Sequence, residues 1–168
     1  MTELESPYRI EKLSSVCDIL DNLRKPINSS ERELRITNKT TDKLFPYYGA
    51  TGQVGWIDDY LTDGEYILIG EDGAPFLDRY KAKAYLIKGK SWVNNHAHIL
   101  KAKKGITENK FILHYLNSFN YHGYVNGTTR LKLTKGSLIN IPVPKPDISQ
   151  QEKSSLNSKN SSVNWITE

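Results

Sequence analysis

One cysteine, Cys17, is all the chain contains, which excludes an internal disulfide framework and any multi-cysteine zinc site and suits a reducing compartment. A single cysteine beside apolar residues is read as a small buried side chain. Long apolar runs are missing as well: none approaches the roughly 20 residues that span a bilayer. The opening Met1-Thr2-Glu3-Leu4-Glu5-Ser6-Pro7 lacks the basic and apolar regions of a signal peptide. The expectation is a cytoplasmic protein without a membrane partner. No glycine-rich loop runs into Gly-Lys-Ser/Thr, so the phosphate cradle of a nucleotide-binding loop is absent. Asn140-Ile141-Pro142-Val143 lacks the second proline and the aromatic residue with which adenine methyltransferases hold their target amine. Internal repeats and heptads are also missing, which excludes a solenoid or a coiled coil.

What remains is enough for one ordinary core: 168 residues, 38% of them hydrophobic. Lysine and arginine number 23 against 19 acids, a net charge of +4 that leans towards a polyanionic partner. The placement of charge is more telling than its sum. Asp58 to Asp78 holds seven acids and no base, whereas Lys81 to Lys110 holds eight lysines and one acid, Glu108. The lysine-rich stretch reads either as a phosphate-facing surface or as strand edges that lysine protects from aggregation, and the sequence supports both equally.

Leu13, Val16, Ile19 and Leu20 predict a helical turn running into a short buried segment. Asp21 to Asp42 is polar and reads as a long surface loop. Pro46 to Trp56 alternates three glycines with aromatic and small residues, a spacing suited to close backbone approach or positive φ. Tyr66-Ile67-Leu68-Ile69 is a continuous apolar strand ended by Gly70-Glu71-Asp72-Gly73; further strands are predicted at Ala84 to Ile87, Ser91 to Val93 and His96 to Leu100, with Gly89 at a turn. Phe111, Ile112, Tyr115, Leu116 and Phe119 fall on one helical stripe, which Thr107 is placed to cap. A short helical turn is expected around Ser137 to Ile139. Ile141-Pro142-Val143-Pro144-Lys145-Pro146 cannot be a central strand, because its prolines lack ladder donors, and reads as an extended connector. Ser149-Gln150-Gln151-Glu152 is a capping box opening a helix, yet Lys153 to Glu168 is mostly Ser, Asn and Lys, and reads as disordered or frayed.

Catalysis finds no home in these residues. His96-Ala97-His98 places two imidazoles at alternate strand positions, half a metal site, but spacing supplies no third ligand and hydrogen-bonding histidines are the better reading. Asp58-Asp59 with Glu71-Asp72 suggest a magnesium nuclease. The one acid-x-lysine that follows, Glu108-Asn109-Lys110, opens the predicted helix, where an exposed first-turn acid explains it. DNA contact fits more residues. Arginine pairs with guanine and Gln or Asn with adenine, so Arg24, Arg130, Gln53, Asn94 and Asn95 are chemically eligible readers. Each also has a plain structural explanation: tight turns for the glycine loop, strand packing for Thr128-Thr129, a self-bonded turn for Asn94-Asn95.

Several motifs together resemble the target recognition domains of type I restriction-modification specificity subunits. They are Leu20-Asp21-Asn22-Leu23-Arg24-Lys25-Pro26-Ile27, Tyr47-Tyr48-Gly49-Ala50-Thr51-Gly52, Gly55-Trp56-Ile57-Asp58-Asp59-Tyr60-Leu61, Gly70-Glu71-Asp72-Gly73-Ala74-Pro75-Phe76, Trp92-Val93-Asn94-Asn95-His96-Ala97-His98, Tyr124 to Leu133, and Ile141-Pro142-Val143-Pro144 before Gln151-Glu152. The resemblance covers roughly Tyr8 to Glu152 and implies an α+β domain with a twisted, partly barrel-like mixed sheet and a few helices. Such a domain offers loops to one half of a split duplex target and has no catalysis, metal or cofactor of its own. Family members carry two such domains, each followed by a long helix, and the paired helices space the half-sites and dock the methyltransferase (modification) subunits. The resemblance therefore implies as partners double-stranded DNA, a modification subunit holding S-adenosylmethionine, a restriction subunit holding ATP, and another specificity half subunit. One domain over residues 1–152 and a polar tail over 153–168 fit a half subunit or a truncated form. The DNA-contacting residues expected on this reading are Arg24, Lys25, Tyr48, Thr51, Gln53, Asn95, His96, Thr128, Thr129, Arg130 and Lys132, with Glu71 and Asp72 bonding turn backbone. Besides the nuclease, the rival reading is an interaction protein that modulates assembly of the methyltransferase and specificity complex.

Overall fold

The computed structural model describes residues 8–145; the 149–152 capping box, the boundary at 152 and the tail from 153 lie outside the described residues. Strand β1 (Arg9–Lys12) leads into one helical turn, α1 (Leu13–Val16), and strand β2 (Cys17–Ile19). Leu13 and Val16 lie one turn apart, so both reach the same side and are buried with Cys17. Burial pushes the Cys17 thiol up to about 12, as expected of a core thiol.

A central antiparallel sheet, in the order β2, β9 (Ala97–Ala102), β6 (Tyr66–Gly70) and β7 (Ala84–Ile87), divides the interior. Ile67, Ile69 and Leu100 pack on one side with helix α3 (Asn109–Ser118), which buries Phe111, Ile112, Tyr115 and Leu116. Leu68 and Ile99 point the other way, towards Val93 and Tyr48 of a second sheet. Because both faces of β6 are covered, its sequence is a continuous apolar run rather than an alternation. The second sheet has the order β4 (Gln53–Ile57), β3 (Phe45–Tyr48), β8 (Lys90–Val93), β5 (Thr62–Asp63), and its β3–β8 pair is parallel. One antiparallel and one mixed sheet packed against each other, with helix α3 on the outer side of the antiparallel one, are the α+β architecture anticipated. Among the described residues no helix is long and apolar enough to cross a membrane.

Several expectations need correction. The polar stretch from Asp21 to Asp42 is not one loop, since it holds helix α2 (Ser29–Ile36), whose N-terminus is capped by Asn28 accepting from the Glu31 N–H at 2.8 Å. No residue of α2 is buried, so the apolar stripe by which a helix is recognised is missing. Arginines attach it instead: Arg32 lies over the Tyr47 ring at 4.9 Å, Arg35 lies over Trp92 at 5.1 Å, and Arg35 Nε donates to Asp58 at 2.6 Å. Gly55 leaves the space that the Arg32 guanidinium occupies, for a Cβ there would stand 2.5 Å from its Nη1. The N-cap position of α3 is held by Glu108 rather than Thr107, and Glu108 makes no side-chain cap bond there. The expected turn near Ser137 is α4 (Lys135–Ile139), capped by Thr134. The proline-rich connector is strand β10 (Pro142–Lys145), paired antiparallel to β1 alone in a two-stranded ribbon, where prolines are tolerated because half the ladder faces outward.

Candidate nucleic-acid interface

Four loops meet at the end of the central sheet where β6 stops and β9 begins, and main-chain bonds staple them together. The Glu71 N–H donates to the His96 carbonyl at 2.7 Å, the Leu133 N–H to the Glu71 carbonyl at 2.7 Å, and the Gly73 N–H to the Leu131 carbonyl at 3.0 Å. Lys25 N–H reaches the Val93 carbonyl at 3.0 Å, and Asn94 N–H reaches the Tyr48 carbonyl at 3.1 Å. The segment from Asn126 to Lys132 folds back on itself through two reciprocal main-chain bonds. Gly127 makes that return possible: its φ is +104°, and a Cβ would stand 2.5 Å from the Arg130 carbonyl oxygen.

On this platform five of the residues expected to contact DNA come together, Arg24, Asn95, His96, Arg130 and Lys132, and they surround Glu71 and Asp72. Arg24 Nη1 donates to Glu71 Oε2 at 2.5 Å, to the Ala97 carbonyl at 3.0 Å and to the Asn95 carbonyl at 3.3 Å. Lys132 Nζ stands 4.0 Å from Glu71 Oε1. His96 Nδ1 bonds Asp72 Oδ1 at 2.6 Å, and Arg130 Nη2 lies 3.2 Å from Asp72 Oδ2. The two carboxylates were expected to bond turn backbone; they bond basic side chains instead, because the loops at 24, 96 and 130 converge on them.

The remaining expected residues occupy the rim. Lys25 is exposed, with its carbonyl accepting from Trp92 Nε1 at 2.9 Å. Thr128 and Thr129 are exposed at the tip beside Arg130. Thr51 and Gln53 stand out from the β3–β4 hairpin, where Gln53 Nε2 donates to its own Gly55 carbonyl at 3.1 Å. Tyr48 is half-buried against Tyr85, with ring centres 5.8 Å apart, and burial raises its hydroxyl above the ordinary value. Asn94 is a turn residue: its Oδ1 accepts from the His96 N–H at 2.9 Å.

Two clefts join across this surface. The smaller, about 180 Å³, is lined by Arg24, Glu71, Asp72, Asn95, His96 and Lys132. The larger, about 460 Å³, runs from Asn95 and His96 past Tyr47 and Val54 to Asn28, Ser29 and Arg32. The sequence reading missed Arg32 and the start of α2 as part of the surface. Asn28-x-x-Glu31, a capping signature just ahead of Arg32, was the available signal.

Behind the loops lies His98, fully buried, with Nδ1 bonded to Asp21 Oδ2 at 2.7 Å and Nε2 to the Leu133 carbonyl at 2.7 Å. Burial by itself raises the Asp21 carboxyl, but His98, the Ile99 N–H and Arg24 outweigh it and hold the group below its ordinary value. His96 and His98 therefore serve different partners and do not converge. The acids considered for a nuclease are also divided, since Asp58 pairs with Arg35 and Lys39 beside α2, away from Glu71 and Asp72. Among the described residues no three metal-ligating side chains gather at one point.

Comparison with known proteins agrees with this geometry. Residues 5–155 match the family described as Type I restriction modification DNA specificity domain. A type I restriction enzyme specificity subunit of Haemophilus influenzae is 38% identical over 139 residues, which is 83% of this chain and 33% of that protein. The EcoprrI specificity subunit of Escherichia coli is 26% identical over 116 residues, 69% of this chain and 27% of that one. The chain thus spans about a third of the length of these relatives. The S subunit of the M. genitalium type I restriction-modification system superposes with a TM-score of 0.69 at 13% identity, over 95% of this chain and 40% of that chain. The S subunit of Thermoanaerobacter tengcongensis gives 0.61 at 17% identity, over 94% and 38%. At these identities the structural likeness speaks for the fold.

Proposed function

Because the chain belongs to the type I restriction modification DNA specificity domain family, we propose that it recognises one short stretch of duplex DNA, half of a bipartite target. A methyltransferase subunit and a restriction subunit would perform the chemistry and hold S-adenosylmethionine and ATP, and this chain holds neither. The observation that carries the reading is the convergence of basic and amide side chains from three separate loops, around the acids of a fourth, on one grooved end of the central sheet. Sites that read base edges need this combination, with cations for phosphates and directional donors and acceptors held where a groove passes.

Roles divide by side-chain chemistry and by the bonds already made within the protein. Lys25 and the rim threonines position phosphates; Gln53, Asn95, Arg130 and Lys132 reach base edges; Arg24, spent on three acceptors within the protein, braces the loops. His96 shapes the wall of both clefts, and Tyr48, packed on Tyr85, supports the hairpin beside them. The test uses Gln53→Ala, Arg130→Ala and Lys25→Ala on a preferred duplex and a shuffled one. Gln53→Ala and Arg130→Ala are each expected to cost about 1 to 3 kcal/mol on the preferred duplex and far less on the other, with Lys25→Ala weakening both alike. Equal losses on both duplexes for all three variants would contradict base reading.

A further inference from the structure

The basic side chains of this surface are not free. Glu71 and Asp72 hold Arg24, Lys132, His96 and Arg130 through all four of their carboxylate oxygens, at 2.5, 4.0, 2.6 and 3.2 Å respectively. Main-chain bonds on Glu71 and Gly73 fix the turn that carries the acids, and the four basic partners hold their carboxylates in place. Any phosphate approaching these basic groups meets two negative charges. A matched base edge does not meet them in the same way: its acceptors take the directional N–H groups, and an amino group of cytosine or adenine donates to the carboxylates.

We propose that Glu71 and Asp72 are positioning residues that set discrimination: they orient the basic side chains around them, the base readers Arg130 and Lys132 included, and suppress affinity for duplexes of arbitrary sequence. The inference rests on the DNA-reading function above. Specificity is a difference between two affinities, and a repulsive element felt by the wrong partner raises it as effectively as a new contact to the right one. Asp58 offers an internal contrast. It ties Arg35 and Lys39 to the sheet outside both clefts, where a carboxylate serves attachment alone.

The experiment compares Glu71→Gln, Asp72→Asn and the charge-keeping Asp72→Glu with the wild-type chain. Affinities are measured across a salt series for the duplex that the wild-type chain enriches from a random pool and for a shuffled duplex. In Glu71→Gln and Asp72→Asn the shuffled duplex is expected to bind more tightly, with its log–log salt slope steeper by about 0.9 for each charge removed. Preference for the enriched duplex falls by about tenfold, and Asp72→Glu keeps it. Asp72→Asn carries the test if Glu71→Gln fails to fold, since neither of its partners is as buried as Arg24, which Glu71 holds. An unchanged preference, or equal weakening on both duplexes in folded variants, overturns this inference alone. A wild-type chain without any preference overturns the DNA-reading function with it.

Discussion

Arg24 and Lys25 are sequence neighbours with different tasks, and substitution separates them. Arg24→Ala leaves Glu71 and two carbonyls of the 95–97 turn without their donor, and is expected to lower stability by about 2 kcal/mol in chemical denaturation. Lys25→Ala leaves the denaturation midpoint where it was, because its side chain is exposed and its bonds are main-chain. The buried Asp21–His98 pair sets an acid limit. The folded Asp21 carboxyl lies below its ordinary value of 3.8, so its contribution to stability is complete above that pH and is lost as the pH falls through the folded value. Asp21→Asn is expected to flatten the fall in stability below about pH 4, read from denaturation midpoints against pH; an unchanged acid limb would show that the pair carries no such linkage.

Elements differ in how they are held, and that decides how plainly each was written in the sequence. β6 and α3 were legible because apolar periodicity is local: a run covered on both faces, and a stripe at helical spacing. α2 was not, since cation–π contacts and ion pairs hold it and leave no apolar stripe. The partners of Glu71 and Asp72 were equally hidden, for Arg24 lies 47 positions from Glu71 and His96 lies 24 from Asp72, so only the assembled sheet brings them together. Hydrogen exchange should show the contrast, with α2 amides exchanging much faster than those of β6 and β9, and faster still in Asp58→Asn. Similar protection of α2 and the central strands would contradict the account of its attachment. In the 126–132 loop, Gly127→Ala forces a Cβ against the Arg130 carbonyl at positive φ. A cost of about 1 to 3 kcal/mol is expected, with loss of duplex preference before loss of fold.

At the scale of the whole molecule, the proposed reading surface is the loop end of the central sheet, where β6 stops and β9 begins. The family and the sheet-with-helices architecture were visible from scattered motifs; the shared groove was not, because it is assembled from segments far apart in the chain. Hydrogen exchange of the chain with and without bound duplex asks directly whether this end of the sheet grips DNA. The account predicts new protection at residues 24–25, 47–56, 71–73, 94–96 and 126–132, and none along α3 or the β1–β10 ribbon. Protection centred on α3 or that ribbon, or no bound duplex at all, would contradict it.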